Sequence, residues 1–253
     1  MSDPGLILGL LFALALTAGI VDAIAGGGGL ITVPALLWAG LPPVQALATN
    51  KAQGVFGTFA ATVRFSRQGA IDLRRSALAV TATFTGAAIG ALSVQVLSTE
   101  VLMRLVPVLL IGFAIYFLVS PRVCDLRSRE RIGPVAFALA VGLTVGWYDG
   151  FFGPGTGTFF AFAYVALLGK DLGGATAHAK LLNFTSNLAA LLLFSAGAQI
   201  AWDLALAMAA GQLIGGWVGA HLVLRHGTRL IRPALVLMSL AVSGKLLWEQ
   251  IGG

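Results

Sequence analysis

Two lysines and two aspartates carry most of the chemistry open to this sequence. Lys51 and Lys180 lie several residues inside apolar stretches, and Asp22 and Asp149 each stand just ahead of a glycine-rich run. A buried ammonium group needs an acidic partner, water or an anionic ligand. The competing explanation is a lysine that snorkels to a membrane interface. The aspartates have three uses open to them: pairing with the lysines, capping the segments that follow, or exchanging protons. Asn50 and Gln53 accompany Lys51, while His178 and Asn183, with Ser186 and Asn187 beyond, accompany Lys180. Such groups either hydrogen-bond a small ligand or hold helices together. His178 is a candidate for titration, but a lone membrane histidine more often makes a buried hydrogen bond.

The glycine runs are the second signal. Gly26, Gly27, Gly28 and Gly29 stand in a row, and a related run carries Gly153, Pro154, Gly155 and Thr156. In lipid such backbone would leave polar groups unsatisfied, so it belongs inside the protein or along a water-filled cavity. A short helix that starts there presents free N–H groups and a positive dipole end, which suits an anion. Close packing alone is the rival account of these glycines. Elsewhere it is the better one, at Gly86 with Gly90 and at Gly211, Gly215 and Gly219.

Other chemistries lack their parts. His178, His221 and His226 are dispersed, Cys124 is the single cysteine, and neither glycine run has the lysine of a nucleotide-binding P-loop. The expectation is no enzyme, no metal and no cofactor.

The chemistry is duplicated. Asp22 matches Asp149 and Gly26 matches Gly153 at a spacing of 127 residues. After a slip of two, Lys51 matches Lys180, Gly86 matches Gly215 and Gly90 matches Gly219 at a spacing of 129. The chain thus reads as two copies of one unit, residues 1–124 and then 125–253, the second opening on a charged linker that contains Arg127, Arg129, Glu130 and Arg131.

The elements that carry these residues are apolar helices. Hydrophobic residues make up 58% of the 253 and charged ones only 10%, against about 25% charged in soluble domains. A soluble fold has no means of covering that surface, and the stretches are too long for barrel strands. Candidate helices run over residues 6–24, 30–38, 44–65, 77–97, 101–119, 135–147, 158–168, 175–195, 204–224 and 231–248. The two that follow the glycine runs are too short to span a bilayer. The first lacks the basic start of a cleaved signal and is expected to be retained.

The net charge of +6 sits in short gaps between apolar stretches, which fits cytoplasmic anchoring and not nucleic-acid binding. Equivalent loops carry opposite charge bias: the arginines from Arg64 to Arg75 correspond to the uncharged turn at 196–201, and the turn at 98–100 to Arg225 and Arg229. The fold expected is therefore an all-α polytopic membrane bundle of two inverted repeats with glycine-broken first elements. Each repeat makes three crossings if the broken elements are re-entrant, or five if they cross.

From Asp22 through Gly29, then at Val33-Pro34 and Ala48-Thr49-Asn50-Lys51, the sequence resembles the sulfite exporter TauE/SafE family, also called the 4-toluene sulfonate uptake permease family. Asp149 to Thr158 looks like that family's second glycine-rich half. The resemblance covers nearly the whole chain and implies a multi-pass protein of the bacterial inner membrane that transports sulfite, a sulfonate or another organosulfur anion. The leading expectation is a secondary transporter of a small anion, with proton coupling as an option and membrane lipid as the surrounding partner. A passive anion channel and a non-transporting scaffold are the alternatives.

Overall fold

The computed structural model describes residues 4–119, 129–197 and 200–227. The candidate helix at 231–248, Cys124, Arg127, Arg229 and the boundary between residues 124 and 125 lie outside them. Among the described residues there are helices and turns and no strand.

The first unit runs α1 (Pro4–Ala25), α2 (Gly29–Trp38), α3 (Pro43–Arg67), α4 (Leu73–Gln95) and α5 (Thr99–Val119). The second runs α6 (Pro134–Phe151), α7 (Thr156–Leu168), α8 (Leu172–Ala196) and α9 (Trp202–His226). Both units therefore open with a long helix, a break and a short helix. The first residues of α3 and α8 lie 129 apart, as do those of α4 and α9.

Among the described residues, five helices, α1, α4, α6, α8 and α9, are long and apolar enough to cross a membrane. At about 1.5 Å per residue, the 10 residues of α2 and the 13 of α7 reach only part of the way through. α3 has the length to cross, at 25 residues, and also buries Asn50, Lys51 and Gln53. It is a helix built to face protein. A wide π-helical turn at Ala138–Gly142 interrupts α6 where it lies against α4.

The helices pair across the two units. α1 runs parallel to α9, with Gly215 against Leu16 and Ile20, and Gly219 against Ile20 and Ala23. α4 runs parallel to α6 in the same way, with Gly86 against Leu143 and Trp147, and Gly90 against Trp147 and Phe151. A Cβ at Gly86 or at Gly215 would collide with the carbonyl of Leu143 or of Leu16. These contacts are backbone to backbone, the kind that small residues permit between membrane helices, where dispersion between closely fitted surfaces replaces the hydrophobic effect. α3 packs on α9 and α8 on α4, which leaves α3 and α8 facing each other in the middle.

Basic residues from several elements gather at one end. Arg64 Nη2 reaches His221 Nδ1 at 2.7 Å, and the Arg67 guanidinium lies 5.9 Å from the centre of the Trp217 ring, so the end of α3 meets the end of α9. The start of α8 is there too, because Asp72 N–H donates to His178 Nε2 at 3.3 Å. Arg131 N–H donates to Leu167 O at 2.8 Å and brings the described end of the linker alongside. The 25-residue α8 carries the chain away from this end, so its last turn lies at the other. If the two units are inverted, single cysteines at Arg67 and Arg225 are expected to react with an impermeant thiol reagent from the cytoplasmic side, and one at Gly197 from the opposite side. Labelling of Arg67 and Arg225 from different sides would exclude inversion.

Candidate functional site

Both long first helices end because the backbone turns left-handed at a glycine. Gly26 has φ +81° and Gly153 φ +100°, a region closed to most residues with a Cβ. The last helical bonds before the breaks are Gly26 N–H to Asp22 O and Phe152 N–H to Tyr148 O, both 2.8 Å. The breaks then touch. Thr158 Oγ1 donates to Ala25 O, Gly29 packs on Pro154, and a Cβ at Gly26 would strike the backbone of Gly157. The N-terminal ends of α2 and α7 thus meet inside the protein.

Four charges stand around that meeting point. Lys51 Nζ on α3 donates to Asp149 Oδ1 on α6 at 2.6 Å, and Lys180 Nζ on α8 donates to Asp22 Oδ2 on α1 at 2.8 Å. Each lysine takes the aspartate of the other unit. Side-chain exposure is 1% and 2% in the first pair and 1% and 13% in the second. The lysines do not snorkel, and of the three uses open to the aspartates the pairing one is in place. Asp22 Oδ1 also accepts from Gly28 N–H at 3.1 Å and so tethers the break. Asp149 takes hydroxyl donors instead: Thr156 Oγ1 donates to its Oδ1 at 3.0 Å and Ser186 Oγ to its Oδ2.

Between the pairs lies a polar cavity of about 30 Å³, counted as the space open to the centre of a water molecule. That is room for two or three waters. Asp22, Gly26, Gly28, Gly29, Asn50, Lys51, Gln53, Asp149, Gly153, Gly155 and Asn183 line it. Of the residues expected at the site from sequence, these eleven are brought together. Gly27 is not on the wall. Lys180 sits just behind it, with Nζ 2.8 Å from where a Cβ of Gly157 would be. His178 is away from the cavity: its Nδ1 pairs with Gly174 O at 2.7 Å and its Nε2 accepts from Asp72 N–H, which ties the α3–α4 turn to α8.

The walls also hold Gly54, Thr58, Asn187 and Gln212, of which Gly54, Thr58 and Gln212 were not singled out from the sequence. Gln212 is a 3% exposed amide within an apolar stretch, the same signal that marks Lys51, so it was open to detection. Thr32 was not distinguishable from a helix-surface threonine. Its Oγ1 donates to Asn50 Oδ1 at 2.5 Å, and Gln53 Nε2 donates to the same oxygen at 2.9 Å, which holds the Asn50 side chain beside the cavity.

The profile of the sulfite exporter TauE/SafE family matches residues 11–246. The chain belongs to that family. It is 46% identical over 247 residues to the probable membrane transporter protein YfcA of Escherichia coli K12, covering 98% of this chain and 92% of the relative. It is 43% identical over 244 residues to a probable membrane transporter protein of Haemophilus influenzae, covering 96% of each. A probable membrane transporter protein, ORF9, of Sinorhizobium is 42% identical over 241 residues. No solved structure matches. Family, relatives and apolar helices together make this a multi-pass protein of the bacterial inner membrane, within a family of transporters.

Removing one partner of a buried ion pair costs about 3–5 kcal/mol because the other charge is stranded, whereas apolar replacement of both is often close to neutral. Lys51→Met and Asp149→Leu are therefore each expected to lower the unfolding temperature of the TauE/SafE chain in detergent more than the double variant does. Strict additivity would show that the pair is not coupled. Gly26→Val is expected to abolish the folded, monodisperse protein, since it needs both a left-handed backbone and the space of Gly157. Its recovery with wild-type stability would show that the breaks do not touch.

Proposed function

We propose that this TauE/SafE protein is a secondary transporter of a small anion of the sulfite, sulfonate or related organosulfur class, and that the anion binds in the cavity where the two glycine breaks meet. The observation that carries the reading is the placement of two buried ammonium groups, one from each unit, beside the N-terminal ends of α2 and α7. Ammonium groups and helix N-termini both favour negative charge. The family and the relatives support transport, and the wall supplies amide donors at Asn50 and Asn183 for oxyanion oxygens.

A carrier fits this site better than an open pore. The lysines are engaged by aspartates in the same buried volume, so an anion has to displace a carboxylate from an ammonium group before it is held. That exchange must be made and reversed for every ion carried.

Uptake by purified protein in liposomes tests the reading, using sulfite, methanesulfonate and acetate with and without an imposed proton gradient. Saturable uptake of a sulfur oxyanion in preference to acetate is expected, and gradient-driven accumulation separates a carrier from a channel. Lys51→Gln and Lys180→Gln, checked for folding, are expected to weaken binding roughly tenfold or more, the equivalent of losing a charge-assisted contact of about 1.5–3 kcal/mol. Folded variants that both retain wild-type affinity would exclude a lysine-held anion.

A further inference from the structure

The two ion pairs occupy equivalent places in the repeat, but their surroundings differ in chemical kind. Around Asp149 stand the hydroxyls of Thr156 and Ser186. At the corresponding distances of 127 and 129 residues, the first unit has Gly29 and Gly57, so nothing equivalent faces Asp22. Around Lys51 stand Asn50 and Gln53, both on the cavity wall, and the corresponding neighbours of Lys180 are Ala179 and Leu182. The Lys51–Asp149 pair is thus set in groups that can rearrange. Lys180–Asp22 has the Asn183 amide beside its ammonium end, but no hydroxyl on its carboxylate.

The hydrogen-bond inventory sharpens this contrast. The known partners of Asp22 are a backbone N–H, from Gly28, and the Lys180 ammonium, which only donate. A proton on Asp22 would face donors. The partners Thr156 and Ser186 can donate or accept, and each has a second acceptor within reach. Ser186 Oγ lies 3.1 Å from Leu182 O and 3.0 Å from Asn183 O, and Thr156 Oγ1 lies 2.6 Å from Gly153 O. Ser186 can therefore turn its proton to the α8 backbone and offer a lone pair to a protonated Asp149.

Charge balance requires some such device. Lys51, Lys180, Asp22 and Asp149 sum to zero, so a monoanion that enters alone leaves an uncompensated charge in a buried site. The cavity holds only a few waters, so the anion also needs Lys51 to turn away from Asp149. We infer that Asp149 takes up one proton as Lys51 turns to the anion, with Ser186 as the hydroxyl that changes from donor to acceptor, while Lys180–Asp22 stays intact as a fixed strut. This assignment rests on the anion-carrier reading above. One anion and one proton enter together, and the sum stays at zero.

The titratable groups about the cavity and on the elements near Asp149 are Lys51 of α3, Asp22 of α1, Lys180 of α8 and Tyr148 on α6 itself, with His178 of α8 lying away from the cavity; α4 between Ser76 and Gln95 and α7 bring no charged residue. His178 is engaged by Gly174 O and Asp72 N–H. Of the two cavity carboxylates, the one with reversible partners is Asp149.

The test uses the full chain in liposomes with radiolabelled methanesulfonate, which carries no proton of its own near neutral pH, and a pH-sensitive dye inside. Wild type is expected to take up one proton per methanesulfonate without sodium. Difference infrared spectra on adding methanesulfonate should show a protonated carboxyl band that persists in D22N and is missing in D149N. In S186A the pH of half-maximal methanesulfonate binding is expected to move up by about one unit, since the ionised carboxylate loses a charge-assisted donor. Binding in wild type without a carboxyl band, a band that vanishes in D22N but not in D149N, or co-movement that needs sodium would each overturn the assignment alone. If D149N does not fold, the wild-type spectrum and the S186A pH profile decide it: an unshifted profile overturns it. No binding of methanesulfonate or sulfite by wild type overturns the anion reading and this assignment with it.

Discussion

Four charges, three buried and one partly so, are joined crosswise and set the conditions that the rest of the molecule meets. Each unit contributes one lysine and one aspartate, yet Lys51 is neutralised by Asp149 and Lys180 by Asp22, at 2.6 Å and 2.8 Å. Neither unit satisfies its own charge. An isolated unit would carry an ammonium and a carboxylate toward a low-dielectric interior without those partners, so docking of the two is a requirement of the fold. The glycines at α1–α9 and α4–α6 let backbones approach closely enough for the charges to meet.

The site was legible to different depths. Asp22, Lys51, Asp149 and Lys180 announce themselves because a charge inside an apolar stretch must be accounted for, and the duplication tied them to two glycine breaks. Helix limits followed from the same pattern: α3, expected over 44–65, spans Pro43–Arg67, and α8, expected over 175–195, spans Leu172–Ala196. The choice among pairing, capping and proton exchange did not follow, because spacing along the chain carries no information about which aspartate lies across from which lysine. His178 shows the same limit: its place near Lys180 in sequence suggested the cavity, and the helix turns its ring to the α3–α4 connection instead. Thr32 gains its meaning only from Asn50 on another helix.

The repeat is close in backbone and loose in chemistry. Helix starts coincide at a spacing of 129 residues for two successive helices, while Gly29 stands opposite Thr156 and Gly57 opposite Ser186. Packing accounts for this difference. Backbone contact requires glycine at Gly86 and Gly215 and also at Gly57, which lies against Gly216, while the equivalent Ser186 puts its hydroxyl on Asp149. Two equivalent sites can then differ in function without disturbing the frame.

The same contacts decide where the molecule can yield. α1, α3 and α9 form one group and α4, α6 and α8 the other, each drawing helices from both units. Within each group the contacts include helix backbone on helix backbone at glycines, which leaves no side chain to change rotamer and let one element slide on the other. Between the groups, α3 faces α8 across Asn50, Gln53, Asn183 and Asn187, where hydrogen bonds can be exchanged at small net cost. Both ion pairs also span the groups, since Lys51 lies on α3 and Asp149 on α6, while Lys180 lies on α8 and Asp22 on α1. Movement that opens the cavity to either side therefore strains the ion pairs first. On the anion-carrier reading proposed above, an anion that took over one ammonium group would lower the cost of that movement, which would place ligand binding and conformational change on the same few atoms.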